Sequence, residues 1–513
     1  MKTDVLFGQA YFLRFDPKLW DAQQPYPPLG TLYAAAYVRQ RGHKVALFDA
    51  MLAGSEHEWV EALDRHRPRV AVLYEDNFNY LSKMCLLRMR QAAMTMIAAA
   101  RERGVGVIVA GSDATDHPEQ YLDGGADVVI MGEGEETLGE ILRLHAERPL
   151  RDIGPVAGTC SRDPEGQARR YPPRAFIRDL DGLPMPAWDL VDLSRYRDIW
   201  MRRHGYFSMN VATTRGCPYH CNWCAKPIYG QRYAARSPES VVAELAWLKA
   251  THRPDHIWIA DDIFGLKPGW IERFAERARA ADACIPYKAL LRADGVTDAV
   301  AAALAASACQ TVWIGAESGS QRVLDAMEKG IHVEEIATAT ARLRARGIAV
   351  GFFLQFGYPG ETLDDIQRTL EMVERCGPDD IGVSVSYPLP GTAFYTRVQA
   401  QLGEKQNWVD SSDLVPMYRS AYPPEFYRVL HQLVHASFRS RRALETLRTV
   451  AATRRLPTSR ALRESATGLV QVARLPWIRR HLRRLSTAGH AQAPALVPVL
   501  SRRAAAIPSE QPR

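Results

Sequence analysis

The sequence predicts an α/β protein. An N-terminal doubly wound, Rossmann-like sheet is followed by a partial (β/α)6 TIM-type barrel and a helical C-terminal extension. Three observations predict it. Residues 1–145 alternate short apolar runs with helical stretches, and the same rhythm returns over 206–400. The second stretch has six strand–helix steps, and a complete eight-step barrel needs roughly 250 residues. The chain has 513 residues, too many for one core, so more than one domain is required.

In the first unit, TDVLFGQA, KVALFDA, RVAVLYE, GVGVIVAG and ADVVIMG read as five buried parallel strands. They are near-continuous apolar runs, as strands covered on both faces must be. PLGTLYAAAYVRQRG, HEWVEALDRHR and SKMCLLRMRQAAMTMIAAARERG read as the helices between them, and GEGEETLGEILRL as the closing one. Doubly wound sheets bind ligands at strand carboxyl ends. Here these ends are Gly8-Gln9-Ala10, Asp49-Ala50, Tyr74 to Asn77, Gly111-Ser112-Asp113 and Gly132 to Glu135. Residues 146–205 read as a connector with a hairpin at RDPEGQARRYPPR.

In the second unit the strands are FSMNVATTRG, HIWIADDIFG, YKALLRA, TVWIGAESG, AVGFFLQFGYPGE and IGVSVSYPLPG. Residues 401–440 read as a helical cap, and 441–513 as an Arg-rich, partly disordered tail. From residue 438 onward there are 16 arginines, no lysine and 3 glutamates, a net +13 within a chain of +7. The body is therefore mildly acidic. Such a tail is a solvated extension or a basic amphipathic surface for anionic lipid or nucleic acid. In VARLPWIRRHLRRL, Pro476 is expected to confine the helix to the residues after it. No apolar run spans a bilayer, the start reads as a strand rather than a signal peptide, and eight cysteines in so long a chain are too sparse for a disulfide scaffold and imply reduced thiols. The expected location is cytoplasmic, with peripheral inner-membrane contact through the tail.

The chemistry is concentrated in RGCPYHCNWC, residues 215–224. Cys217, Cys221 and Cys224 follow the first barrel strand, which puts them at the barrel end where such folds do chemistry. Two metals suit three thiolates. Tetrahedral zinc would take His220 as fourth ligand. A four-iron cluster would be held at three corners, leaving one iron open. Cys85, Cys160, Cys284, Cys309 and Cys376 read as buried small hydrophobes.

CxxxCxxC with Trp223 before its last cysteine resembles the radical S-adenosylmethionine (SAM) signature. GAESGSQRVLDAMEKG, GYPGET and YPLPGTAFY resemble later strand motifs of that superfamily. PPLGTLYAAAYVRQRGHKV, GSDATDHPEQYL and GEGEETLGEIL resemble the cobalamin-binding domain of its class B members. The resemblance covers residues 1–400 and implies three cofactors: a [4Fe-4S] cluster on Cys217, Cys221 and Cys224; SAM near Trp223, Glu317, Ser318, Gly357, Gly360 and Arg292; and cobalamin near Gly111, Ser112, Gly132, Glu133, Gly134 and Glu135. DxHxxG, whose His ligates cobalt in many cobalamin proteins, is absent from residues 1–145, which is compatible with class B enzymes that lack it. The implied activity is C-methylation of an unactivated carbon through a 5′-deoxyadenosyl radical and methylcobalamin. A radical cyclase, rearrangement or oxidation enzyme on the same cofactors is the alternative, and a non-catalytic cobalamin or metal-binding regulator the second. A small-molecule or lipid-like substrate and an electron donor such as flavodoxin or ferredoxin are the expected partners; nucleic acid is disfavoured.

Overall fold

The computed structural model describes residues 3–79, 82, 86–403, 405, 407–453 and 459–488. Cys85 and the tail beyond residue 488 lie outside them. In the first unit β1 (Val5–Gly8), β2 (Val45–Leu47), β3 (Val70–Tyr74), β4 (Gly106–Ala110) and β5 (Val128–Ile130) pair in parallel, in the order β2-β1-β3-β4-β5. The strand order reverses between β1 and β3, where doubly wound sheets open a crevice for ligand. The expected hairpin is β6 (Thr159–Arg162) with β7 (Ala168–Arg170), added antiparallel at the β5 edge. VLFG and VAVLY are buried at every position.

The second unit contains β8 (Ser208–Val211), a short antiparallel pair of β9 (Thr214–Arg215) and β10 (Ala234–Ala235), then β11 (His256–Ile259), β12 (Tyr287–Leu291), β13 (Cys309–Glu317), β14 (Ala349–Phe356) and β15 (Asp380–Val385). All but β9 and β10 form one parallel sheet in the order β15-β14-β13-β12-β11-β8, an open six-stranded barrel.

A single apolar cluster runs through both units, from Leu6 and Trp59 through Tyr26, Trp200 and Ile257 to Phe352 and Leu430. The loop after the first turn of the N-terminal unit enters the barrel. Trp200 Nε1 donates to the Pro25 carbonyl at 2.7 Å, and Asn210 Nδ2 to that of Pro27 at 3.0 Å. Returning from the barrel, Trp408 accepts from the Leu87 amide at 2.6 Å, and the Ser411 hydroxyl donates to Asp16 at 2.7 Å. The two units are therefore tied at several points along the chain.

The C-terminal region is a hairpin of two helices, Pro424–Thr453 and Ser459–Ala488. The first runs across the expected boundary between cap and tail. The second continues through Pro476, contrary to the sequence expectation. A proline inside a helix loses one backbone hydrogen bond and crowds the preceding turn. Here Leu475, Ile478 and Leu482 pack on the common core and hold the helix despite that loss.

Candidate active site

The cysteine loop is fixed before it reaches its first thiol. Asp261, after β11, accepts from the Thr213 and Thr214 amides at 2.7 and 3.0 Å and from the Thr213 hydroxyl. Burial raises its pKa to about 6, with these hydrogen bonds pulling the other way. Gly216 has φ +76°, and a Cβ there would strike the Arg232 carbonyl. Cys221 is buried, Cys217 and Cys224 are half-buried, and none is in a disulfide. Cys217 lies in the electrostatic field of Cys221, and Cys224 in that of both Cys217 and Cys221, each together with Lys226 and Asp262. Burial pushes the Cys217 thiol up and Cys224 to about 12. Such thiols ionise by exchanging the proton for a soft cation. His220, the fourth donor of the zinc alternative, points to solvent.

Asn222, between the last two cysteines, was not singled out by the sequence and is the loop's anchor. Its amide nitrogen donates to the Ala326 carbonyl at 2.8 Å. Its Oδ1 accepts from the Tyr358 hydroxyl at 2.9 Å, and its backbone pairs with Met327 and Phe394. The strand ends that carry the other candidates are thereby drawn to the cysteines. Trp223 packs against Val323, Met327, Tyr358 and Phe394, and its buried indole N–H has no partner among the described residues. A buried N–H left open is a donor kept for a ligand or water.

Glu317 closes β13 with φ +57°, a backbone strain rarely accepted outside functional sites. It pairs with Lys329 at 2.8 Å, both side chains buried. Burial works against the lysine's charge, but Glu317 and the Cys221 thiol outweigh it and raise its pKa. Arg292 stacks on Tyr219 of the cysteine loop, 3.6 Å above the ring centroid. Its nitrogens are taken by Asp294 and by the Lys329 and Gly330 carbonyls. Ser318 is fully buried against Thr369 at 3.1 Å. Gly357 has φ +83° and lies against the Tyr427 ring; its amide donates to Glu361 at 2.6 Å, and burial lifts that carboxyl to about 8. The Gly360 carbonyl accepts from Arg322 at 3.1 Å. Neither Lys329 nor Tyr219 is marked in the sequence, because their partners lie on other strands.

The carboxyl edge of the N-terminal sheet has a different character. Gln9 Nε2, Tyr11 Oη, Glu75 Oε2, Asn77 Oδ1 and Ser112 Oγ are buried there without partners among the described residues. Glu75 Oε1 accepts from the Ala10 amide at 2.8 Å, and burial raises the carboxyl to about 8. A Cβ on Gly111 would lie 2.8 Å from the Glu75 side chain. Five unpaired polar atoms along a switch-point crevice fit a large ligand with a polar rim, as a corrin has. Beside them, the Gly132 amide donates to Thr115 at 3.0 Å, and Gly134 packs on the Tyr74 ring. The carboxylates of Glu133 and Glu135 are committed elsewhere. Each receives one guanidinium nitrogen of Arg215 at 2.6 Å, and Glu133 also accepts from the Ile177 amide. Arg215 is 3% exposed and lies among the rings of Tyr33, Phe78 and Tyr229. It stands two residues before Cys217, so the turn after β5 grips the cysteine loop directly.

A partial parallel barrel with three thiols at its mouth stands joined to the ligand edge of a doubly wound sheet. Residues 211–373 match the model of the Radical SAM superfamily, and residues 20–142 that of the B12 binding domain. The chain thus joins a B12-binding domain to a radical SAM domain. It is similar to the uncharacterized methyltransferase PH0819 of Pyrococcus horikoshii, at 26% identity over 77% of this chain and 83% of that protein. It is likewise similar to the anaerobic magnesium-protoporphyrin IX monomethyl ester cyclase of Synechocystis, at 26% identity over 73% of each. The radical SAM methyltransferase TsrM of Kitasatospora setae, solved with cobalamin and a [4Fe-4S] cluster, shares the fold: TM-score 0.64, 20% identity, 79% of each chain covered.

Proposed function

We propose that the chain is a C-methyltransferase acting on an unactivated carbon of a small molecule, with Cys217, Cys221 and Cys224 as cluster ligands. The observation that carries this reading is the Arg215 junction, which sets the cysteine loop against the crevice where five buried polar atoms are unpaired. When bound, the cluster with SAM supplies hydrogen abstraction and cobalamin supplies a transferable methyl group. The chain's own residues bind, orient and exclude water. Asp261 and Asn222 hold the three sulfurs in register. Trp223 offers its free N–H, and the Glu317–Lys329 pair and the Gly357 and Gly360 backbone shape the SAM side. Arg292 braces the loop through Tyr219, and Ser318 braces the strand end. Gly111 and Ser112 line the cobalamin side. Gly132, Glu133, Gly134 and Glu135 form the turn that docks the two sides together. A reduced flavodoxin or ferredoxin serves as electron donor.

Anaerobic reconstitution tests this. Wild-type protein is expected to hold about four irons and to bind cobalamin, and replacing the three cysteines by alanine abolishes the iron without abolishing cobalamin binding. With substrate drawn from comparison of deletion-strain metabolites, SAM yields 5′-deoxyadenosine and S-adenosylhomocysteine together. The similarity to a cyclase favours a second reading, ring formation or oxidation. Formation of 5′-deoxyadenosine without S-adenosylhomocysteine selects it over methyl transfer.

We infer that the helical hairpin makes a peripheral membrane contact. No helix among the described residues is long and apolar enough to cross a membrane. Yet Val470 is 59% and Trp477 64% exposed, beside exposed Arg474, Arg479 and Arg480. Apolar groups flanked by arginines fit the surface of an anionic bilayer. Co-sedimentation with phosphatidylglycerol vesicles, but not phosphatidylcholine vesicles, is expected, and Trp477→Ser weakens it.

A further inference from the structure

Parallel sheets are ordinarily covered on both faces. The outer face of the barrel sheet obeys this: Val350, Phe352 and Leu354 of β14 are buried under helices. The inner face does not. Phe353, on a strand flanked on both sides, is 39% exposed. Its ring stacks on Trp313 of β13 with centroids 4.6 Å apart and planes 25° from parallel. Both rings lie against glycines. A Cβ on Gly351 would sit 2.5 Å from the Trp313 ring, and one on Gly382 3.0 Å from Phe353. The sheet has given up side chains at these positions so that two rings lie flat on it, and a flat apolar platform faces the lumen.

Polar groups stand at the two ends of this platform. Toward the cysteine end, two residues along β14, Gln355 is 1% exposed, and neither its Oε1 nor its Nε2 has a partner among the described residues. Toward the other end is Lys288 of β12, on the same inward face as Leu290. Its ammonium lies 5.5 and 5.4 Å from the ring centroids of Tyr26 and Trp258 and has no hydrogen-bond or ion-pair acceptor among the described residues. Burial lowers the pKa of this lysine; Tyr206 and Asp380 oppose that only from a distance, and Asp380 is shared with Arg442. The lower lumen thus keeps a cation in excess, held over aromatic faces rather than by a carboxylate. A buried amide with both ends open and an ammonium without an acceptor are costly unless a ligand completes them.

We propose that this platform is the substrate subsite, and that the substrate is an extended or planar apolar molecule carrying an anionic group, a carboxylate or phosphate. The apolar body lies on Trp313 and Phe353, Gln355 bonds a polar group nearer the reacting end, and Lys288 anchors the anion. This rests on the radical reading of the cysteine loop, since it takes that end of the barrel as the reacting end.

The probes are 8-anilinonaphthalene-1-sulfonate, which has fused rings and an anion, and N-phenyl-1-naphthylamine, the same rings without it. Full-length protein is titrated with each by fluorescence. Saturable binding of the sulfonate is expected; Lys288→Met weakens it at least tenfold while the uncharged probe changes less than twofold, and Lys288→Arg restores it. In wild-type protein alone, 2-naphthoate displaces the sulfonate at least tenfold better than 2-naphthalenemethanol. Equal displacement by acid and alcohol, or sulfonate binding indifferent to Lys288, overturns the proposal. Iron content and SAM cleavage of wild-type protein are measured beside it. Their absence defeats the radical reading whatever the probes do, and probe failure with an intact cluster defeats only the subsite.

Discussion

Glu75 keeps its proton to about pH 8 because its carboxyl is buried at the end of β3 with one oxygen unpaired. In the unfolded chain a glutamate ionises near its ordinary value of about 4.3. Between these two values the folded state binds more protons than the unfolded, so this residue's contribution to stability falls as pH rises and levels off above about 8. Glu75→Gln mimics the protonated form and carries no such dependence. The urea midpoint of the variant minus that of wild type is expected to grow from pH 5 to pH 8 and then stay constant. A difference that does not vary with pH would show that Glu75 ionises normally. The same open oxygen makes Glu75 a donor toward a bound ligand at neutral pH; the sequence places it at a ligand-binding strand end without separating it from its neighbours. Residues 74–77 appear in the sequence as an ordinary turn after a strand; what sets Glu75 apart is the Gly111 backbone pressed on it.

At the scale of elements, the strands were legible because a parallel strand covered on both faces must be apolar throughout, and VAVLY is too short for a helix and rich in β-branched and aromatic residues. The C-terminal helices were less so. Pro476 argued for a break, and only the packing of Leu475, Ile478 and Leu482 explains why the helix continues. The two helices of the hairpin approach closely at Gly468. Gly468 lies so near the first helix that a Cβ there would be 2.5 Å from the Arg439 carbonyl and 2.6 Å from Ala443. Gly468→Val must push the helices apart, at a cost of about 1–3 kcal/mol for overpacking. The expected result is faster proteolysis within 440–488 with cluster content unchanged, because Gly468 meets the first helix at Arg439 and Ala443, about three turns beyond the Tyr427 ring that lies against Gly357.

Across the whole molecule, the junction of the two units rests on Arg215, Glu133 and Glu135. Removing one partner of a buried ion pair strands the other, at a cost of about 3–5 kcal/mol. Arg215→Met leaves two carboxylates in an aromatic enclosure and is expected to lose about that much in chemical denaturation. Arg215→Lys does not rescue it fully, since a point charge cannot serve two carboxylates as a planar fork does. Both variants are expected to weaken cobalamin binding, because the turn after β5 would no longer be held. Cobalamin affinity unchanged in Arg215→Met would separate this junction from the ligand edge.

By itself the sequence determined the alternation of strands and helices, the division into two units and the three sulfurs. Each of these is written locally: apolar periodicity and cysteine spacing act over a few neighbouring residues. Tertiary structure alone decided what those local features meet. It paired Glu317 with Lys329, tied the Asn222 side chain to Tyr358, and turned Glu133 and Glu135 from ligand-edge candidates into the grip on Arg215. A charge or an amide is equally acceptable in a solvated loop and in a buried one. Which of the two it occupies depends on the desolvation it suffers and the partner it finds, and both are set by chain segments far away in the sequence.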